Sequence, residues 1–405
     1  MKTSGIEFIN RGTVTSPRGF VAGATHAGIK KDPVSLDLGI LSSEASCATA
    51  GMFTQTRIIS APVRLDRQRL QEGRATAIVT NSGCSNSYTG EQGMADAIEM
   101  AALAAEGIGI DAEEVLVAST GVTGQLLPME LIKSGISQVI LDSDGGHDLA
   151  RAIMTTDTVP KEAAVFVKAG DIEFTIGGVA KGSGMIHPNM ATMFCFLTTD
   201  AAVELGFLKS ALQKAMSLSL HMITIDGDTS PSDTVVLMAN GLAGNEVIIA
   251  GNRQAEIFQE ALNEICIFFA KALARDGEGA TRLIEVTVNG GLNDREAGLA
   301  ARSVVSSTLV KTAVYGGDPN WDRIIMALSN SGAEIDESKI DLTIGDVPML
   351  KNSKPLTFSE ARVIAALKQD VVPIAINFNL GTGSATAWGC DMSEAYVTIN
   401  SEYMT

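Results

Sequence analysis

The chain has 405 residues, of which 45% are hydrophobic and 19% charged, a balance that fits a globular enzyme and excludes a disordered chain. Its 30 basic and 47 acidic side chains leave a formal net charge of −17. That argues against nucleic-acid partners and docking on an anionic membrane, because both need clustered lysine and arginine.

Length suggests two or three domains or one large α/β unit. Cys47, Cys84, Cys195, Cys266 and Cys390 are scattered and odd in number, which fits a reducing cytoplasm better than a disulfide scaffold. No secretory leader or membrane span is legible, so a soluble, cytoplasmic protein is expected.

Met94, Ala97, Ile98, Ala101 and Ala104 predict a helix over 93–105, stopped by Gly107 and Gly109. Asp111 with Glu114 resembles a capping box. Residues 115–118 read as a buried strand running into Ser119-Thr120-Gly121. Residues 163–168 and 172–176 read as a hairpin across Gly170-Asp171. The second strand leads to Gly177-Gly178 and then to 181–192, Lys-Gly-Ser-Gly-Met-Ile-His-Pro-Asn-Met-Ala-Thr.

Beyond it, 193–197 is strand-like. Helices are expected near 205–220 and 254–274, the latter with Ile257, Ala261, Ile265, Phe268, Phe269 and Leu273 on one face. Strands are expected at 282–288, 340–344, 373–378 and 396–399. This mixture predicts an α/β fold (an α+β layered sandwich) and not a barrel, with a candidate domain break near 275–292.

Most standard chemistries fail. His26, His147, His187 and His221 are far apart and form no metal motif. Asp226-Gly-Asp228-Thr-Ser230 begins like a calcium loop, but Pro231 replaces the required glycine and Leu237 the closing glutamate. The glycine-rich 177–184 run lacks P-loop spacing, and no GxSxG elbow is present. Cys84 has no local His or Lys and reads as an inert thiol.

What remains is a cofactor-free chain with hydroxyl- and glycine-rich loops, a pattern that suits nucleophilic acyl chemistry. A threonine hydroxyl is a weak nucleophile unless a base lies beside it. Cutting the bond between Ala191 and Thr192 would supply one, the α-amine of Thr192.

The sequence resembles the glutamate N-acetyltransferase, or ornithine acetyltransferase, family of the acetylated arginine-biosynthesis cycle. The likeness runs through Gly19-Phe20, Asn81-Ser-Gly83, Ala118-Ser-Thr-Gly-Val122, Thr155-Thr-Asp-Thr158 and the whole 181–193 segment. It continues through Asp226-Gly-Asp-Thr-Ser230, Gly277-Glu-Gly-Ala-Thr281, Asp318-Pro-Asn-Trp321, Ala387-Trp-Gly-Cys-Asp391 and the tail Asn400-Ser-Glu-Tyr-Met-Thr405.

The resemblance implies a self-processing, N-terminal-nucleophile-type enzyme of the ornithine acetyltransferase fold. Cleavage at Ala191 and Thr192 would give an alpha chain, 1–191, and a beta chain, 192–405. The two would stay associated through the strands flanking the cut, in a heterotetramer of two alpha and two beta chains. Thr192 would carry acetyl from N²-acetylornithine to glutamate by a ping-pong route. No cofactor is implied, and acetyl-CoA is a second donor for some members.

The Thr192 α-amine, with an ordinary pKa of about 7.7–8.0, would act as base after a modest downward shift from burial. Thr120 and Gly121 match the oxyanion hole; Thr155, Lys181, Glu278, Asn400 and Thr405 match substrate-binding positions. Charge complementarity pairs Lys181 with the substrate α-carboxylate and Glu278 with the ornithine ammonium. Without the resemblance, Lys181 reads as a solvated surface lysine. If Asn400 and Thr405 bind substrate, the C-terminus must fold back onto the site.

The chain departs from the family pattern at 84–88, at Pro231 and at Gly317 with Asp322, positions that bear on donor or acceptor preference. Three alternatives stay open: a self-processing amidase or aminopeptidase, a related acetyltransferase of secondary metabolism, and a non-catalytic amino-acid-binding protein.

Overall fold

The computed structural model describes residues 5–170, 172–187 and 193–402. Ala191, Thr192 and Thr405 lie outside the described residues, as does Asp171 of the expected hairpin turn. In chain order the first strands are β1 (Ile6–Phe8), β2 (Phe20–Thr25), β3 (Leu38–Phe53), β4 (Arg74–Cys84), β5 (Val115–Val122), β6 (Lys161–Ala169), β7 (Ile172–Lys181) and β8 (Phe194–Thr199). They are followed by β9 (Ile223–Thr224), β10 (Thr234–Ala239), β11 (Leu283–Gly291), β12 (Asp341–Ile344), β13 (Val347–Lys351), β14 (Lys354–Pro355), β15 (Val371–Asn377) and β16 (Gly383–Cys390).

Two sheets form. The first has nine strands, in the order β1-β6-β7-β8-β10-β3-β4-β5 with β2 paired to β3; the second has seven, in the order β14-β13-β12-β15-β11-β16-β9. The layered α/β expectation holds, and neither sheet closes into a barrel.

The central strands of the first sheet are buried on both faces, which explains their unbroken apolar runs. Along β8, Phe194 and Phe196 enter one core, and Cys195 and Leu197 enter another on the opposite face. Adjacent β10 divides in the same way, with Val236 and Met238 on one side and Val235 and Leu237 on the other. The helices Leu205–Leu218, Arg253–Arg275 and Asp294–Ser306 share the larger core with residues from both sheets.

The helix expected over 93–105 spans Gly90–Ile108; Gly107 lies inside it, and Gly109 closes it in the left-handed conformation, φ 83°. Lys161–Ala169 and Ile172–Lys181 pair antiparallel as β6 and β7.

Four readings change. Residues 396–399 are not a strand but part of the helix Glu394–Ser401, whose two ends are tied to a neighbouring turn. Asp111 caps a short 3-10 turn, Ala112–Glu114, and the Glu114 carboxylate is bonded to the Thr76 hydroxyl instead of closing a capping box. Phe268 turns out of the buried face of its helix to meet Phe8, their ring centroids 5.6 Å apart. Lys181 is buried, not solvated. Among the described residues, no helix is long and apolar enough to cross a membrane.

Candidate active site

β4 and β5 run parallel with Gly83 opposite Gly121, so Thr120 and Gly121 arrive at the end of the strand, where its backbone turns. Gly121 has φ 125°, and a Cβ there would lie 2.4 Å from the Gly83 carbonyl carbon. Only glycine fits this crossing.

From the far side, β7 ends on Lys181. Its Nζ donates to Thr155 Oγ1 at 2.7 Å and to Thr120 Oγ1 at 3.5 Å. Because the ammonium only donates, each threonine keeps its own hydroxyl proton for another acceptor. Burial lowers the Lys181 pKa, and Asp157 opposes that shift from 4.0 Å.

Asp157 is itself buried. Its carboxylate receives Lys161 Nζ at 2.7 Å, the Gly182 N–H at 2.7 Å and the Thr155 N–H at 3.0 Å. Burial pushes its pKa up, but Lys181, Lys161 and the Gly182 N–H outweigh that and hold it at about 2.

The loop between β9 and β10 grips both flanks of the undescribed stretch 188–192. Asp226 accepts the Met185 N–H at 2.5 Å and the Ile186 N–H at 2.9 Å, with Met185 at φ 54°. Asp233 accepts the Met193 N–H at 2.9 Å.

Glu278 is buried beside Gly184, where a Cβ would lie 2.5 Å from its carboxylate. Glu278 receives the Asn400 side-chain amide at 2.7 Å. Asn400 belongs to the helix Glu394–Ser401, anchored at its start by the Ser393 hydroxyl, which donates to the Gly279 carbonyl at 2.6 Å.

Thr120, Gly121, Thr155, Glu278 and Asn400 line one cavity of about 810 Å³. Five expected site residues thus share a wall, with Lys181 bonded to two of them; Ala191, Thr192 and Thr405 lie outside the described residues. All five cysteines are buried, and burial pushes the Cys84 thiol up, as an inert group requires.

The sequence reading missed Asp157, Asp226 and Asp233 as site builders. The signal available for two of them was an acidic residue beside an apolar run, Asp226 after Ile-Thr-Ile and Asp233 before Thr-Val-Val-Leu-Met; Asp157, among threonines, carried none.

Fold and cavity define an α/β protein with one pocket lined by hydroxyl, carboxylate and amide groups. The family model described as the ArgJ family matches residues 21–405. A Dehalococcoides mccartyi protein named arginine biosynthesis bifunctional protein ArgJ is 48% identical over 406 residues, covering 100% of each chain. The Symbiobacterium thermophilum protein of that name is 49% identical over 397 residues, 97% of this chain and 99% of the relative. A crystal structure of the Bacillus halodurans protein of that name is 47% identical with a TM-score of 0.50, covering 52% of this chain and 98% of the solved one. This chain belongs to the ArgJ family.

Proposed function

We propose that this enzyme transfers acetyl from N²-acetylornithine to glutamate in arginine biosynthesis, with Thr192 as nucleophile after self-cleavage. In maturation the Thr192 hydroxyl attacks the Ala191 carbonyl carbon, the amide becomes an ester, and water releases residues 1–191. The Bacillus halodurans chain supports a two-chain mature form, since 52% of this chain matches 98% of it.

In turnover the Thr192 Oγ forms a bond to the acetyl carbon and gives its proton to its own α-amine. The donor amide C–N bond breaks, and the ammonium returns that proton to the departing ornithine nitrogen. Glutamate then takes the acetyl group by the reverse sequence. One amide becomes another, so no external energy source enters the balance.

The observation that carries this reading is the Lys181 ammonium, buried and bonded to both Thr155 and Thr120 at a cavity that also holds Glu278 and Asn400. It offers a cation for a substrate α-carboxylate, and Glu278 offers an anion for the ornithine ammonium. The Thr120 hydroxyl and Gly121 N–H serve the developing oxyanion, where one such donor contributes about 3 kcal/mol. Thr405 completes the substrate contacts from the tail. We extend the family likeness to an assembly of two alpha and two beta chains in the cytoplasm, with acetyl-CoA as a further donor.

Intact mass spectrometry of wild type beside Thr192→Ala tests the cleavage: two fragments are expected from the first and one full-length chain from the second. Product analysis tests the chemistry. N-Acetylglutamate that forms only when glutamate is present supports transfer, whereas free acetate without glutamate would make the enzyme a hydrolase.

A further inference from the structure

Among the described residues, the charged side chains that line the cavity are Glu278, Lys31 and Arg57. Lys181 stands behind that wall, bonded to Thr155 and Thr120.

Donor and acceptor make opposite demands on these groups. On the reading of acetylornithine as donor and glutamate as acceptor, one oxyanion hole serves both half-reactions. The α-nitrogen and α-carboxylate of glutamate must therefore take the places that those of ornithine leave. The two side chains then start from the same point and end in opposite charges, an ammonium on ornithine and a carboxylate on glutamate. Glu278 attracts the first and repels the second. The glutamate side chain needs a cation elsewhere in the cavity, because a charge taken out of water without a partner is costly.

Arg57 is a cation that the fold holds ready. It lies between β3 and the helix Ala61–Arg69, in a segment tied at both ends to the loop between β9 and β10. The Thr54 hydroxyl donates to the Ser230 carbonyl at 2.6 Å, and the Ser60 N–H donates to the Pro231 carbonyl at 2.9 Å. The Thr56 hydroxyl donates to the Ile58 carbonyl at 2.6 Å, bridging the backbone on either side of Arg57. Arg57 itself is exposed and has no ion pair or hydrogen bond among the described residues, although acidic side chains outnumber basic ones 47 to 30.

Lys31 comes to the same cavity on a second fixed loop. Asp37, fully buried, collects the Ala27, Gly28, Ile29 and Lys30 N–H groups at 2.6–3.1 Å. Ile29 in turn lies on Gly83, where a Cβ would meet its Cγ2 at 3.1 Å.

We propose that Arg57, supported by Lys31, binds the side-chain carboxylate of the acceptor glutamate. Glu278 then selects the donor and Arg57 the acceptor, while both substrates share the reacting groups. A guanidinium grips a carboxylate through two parallel N–H groups, a match that the neutral amide of glutamine cannot return.

The test uses the full-length enzyme with Arg57→Gln, Arg57→Lys and Arg64→Gln. Arg64 lines only the adjoining groove, so its variant controls for a general loss of positive charge. Initial rates with each substrate varied in turn give separate KM values, glutamine replaces glutamate as a rival acceptor, and a melting curve reads folding. Arg57→Gln is expected to raise KM for glutamate about ten- to a hundredfold and to leave KM for acetylornithine unchanged. Its preference for glutamate over glutamine should fall by the same factor. Arg57→Lys should recover part of both losses, and Arg64→Gln should behave as wild type.

KM values that rise together, or a glutamate preference that survives in Arg57→Gln, overturn the assignment. So does a wild type that accepts glutamine as well as glutamate, a result that depends on no variant folding. A wild type that forms no N-acetylglutamate from acetylornithine would instead sink the transferase reading and take this assignment with it, so the two failures are distinct.

Discussion

Asp157 shows how one side chain sets the charge of the whole site. Its carboxylate lies against two lysines, Lys161 at 2.7 Å and Lys181 at 4.0 Å, all three buried. Taking these charges out of water is costly, and the cluster is tolerated because Asp276 also meets Lys161 at 2.6 Å and the Asp157 oxygens collect the Gly182 and Thr155 N–H groups. The native pKa of about 2 lies below the ordinary carboxylate value, so the folded state binds the proton more weakly than the unfolded one. The resulting stabilisation, about 2 kcal/mol, is fully present above the unfolded pKa of about 3.9 and is lost as pH falls through about 2. Urea midpoints between about pH 5 and pH 2 should drop in wild type, and that part of the drop should be missing in Asp157→Asn. At neutral pH the same variant should be less stable by about 3 kcal/mol, since it takes the carboxylate from buried Lys181 while Lys161 keeps Asp276 at 2.6 Å. An unchanged midpoint at neutral pH would show that Asp157 carries none of this load.

At the scale of elements, the tail helix Glu394–Ser401 ties the C-terminus to the cavity. None of its residues is buried, and side-chain bonds hold it: the Ser393 hydroxyl on the Gly279 carbonyl, the Tyr315 hydroxyl on Glu394 and the Asn400 amide on Glu278. Asn400→Ala frees one end and leaves a nearly buried Glu278 oxygen without its donor. KM for acetylornithine should rise about tenfold, equivalent to one hydrogen bond of about 1.4 kcal/mol, with a smaller change in kcat. A C-terminal tag should have the same direction of effect, and a KM unaltered by both would detach the tail from substrate binding. The same helix is where local sequence pattern misleads. Long periodic segments such as Gly90–Ile108 and Arg253–Arg275 are legible because one face repeats every turn, and β8 because both its faces are buried. Val397, Thr398 and Ile399 are β-branched and suggest a strand, yet contacts 114 and 122 residues away in sequence decide otherwise. Thr120, Gly121, Thr155, Glu278 and Asn400 are legible through family motifs. The burial of Lys181 and the service of Asp157, Asp226 and Asp233 depend on partners no local pattern encodes.

For the whole molecule, the proposed cut falls between two strands of one sheet, and the strand order decides whether the fragments stay together. β1 to β7 lie before the cut and β8 and β10 after it, yet β8 and β10 sit between β7 and β3. The second fragment is thus held by antiparallel ladders on both sides, Lys181 opposite Phe194 at one and Thr234 opposite Phe53 at the other. Its inserted strands bury Phe194, Phe196, Val236 and Met238 on one face and Cys195, Leu197, Val235 and Leu237 on the other. A fully buried large apolar side chain contributes about 1.5–3 kcal/mol, so withdrawing the pair of strands costs far more than freeing two chain ends returns. Cleavage should therefore leave the fragments as one particle. Size-exclusion chromatography of the mature protein is expected to give a single peak containing both fragments in equal amounts, at the elution volume of uncut Thr192→Ala. They should part only in denaturant, within the same transition that removes the secondary-structure signal. Fragments that separate in buffer alone would mean that the cut reorganises this sheet, and the strand order β7-β8-β10-β3 would not survive maturation.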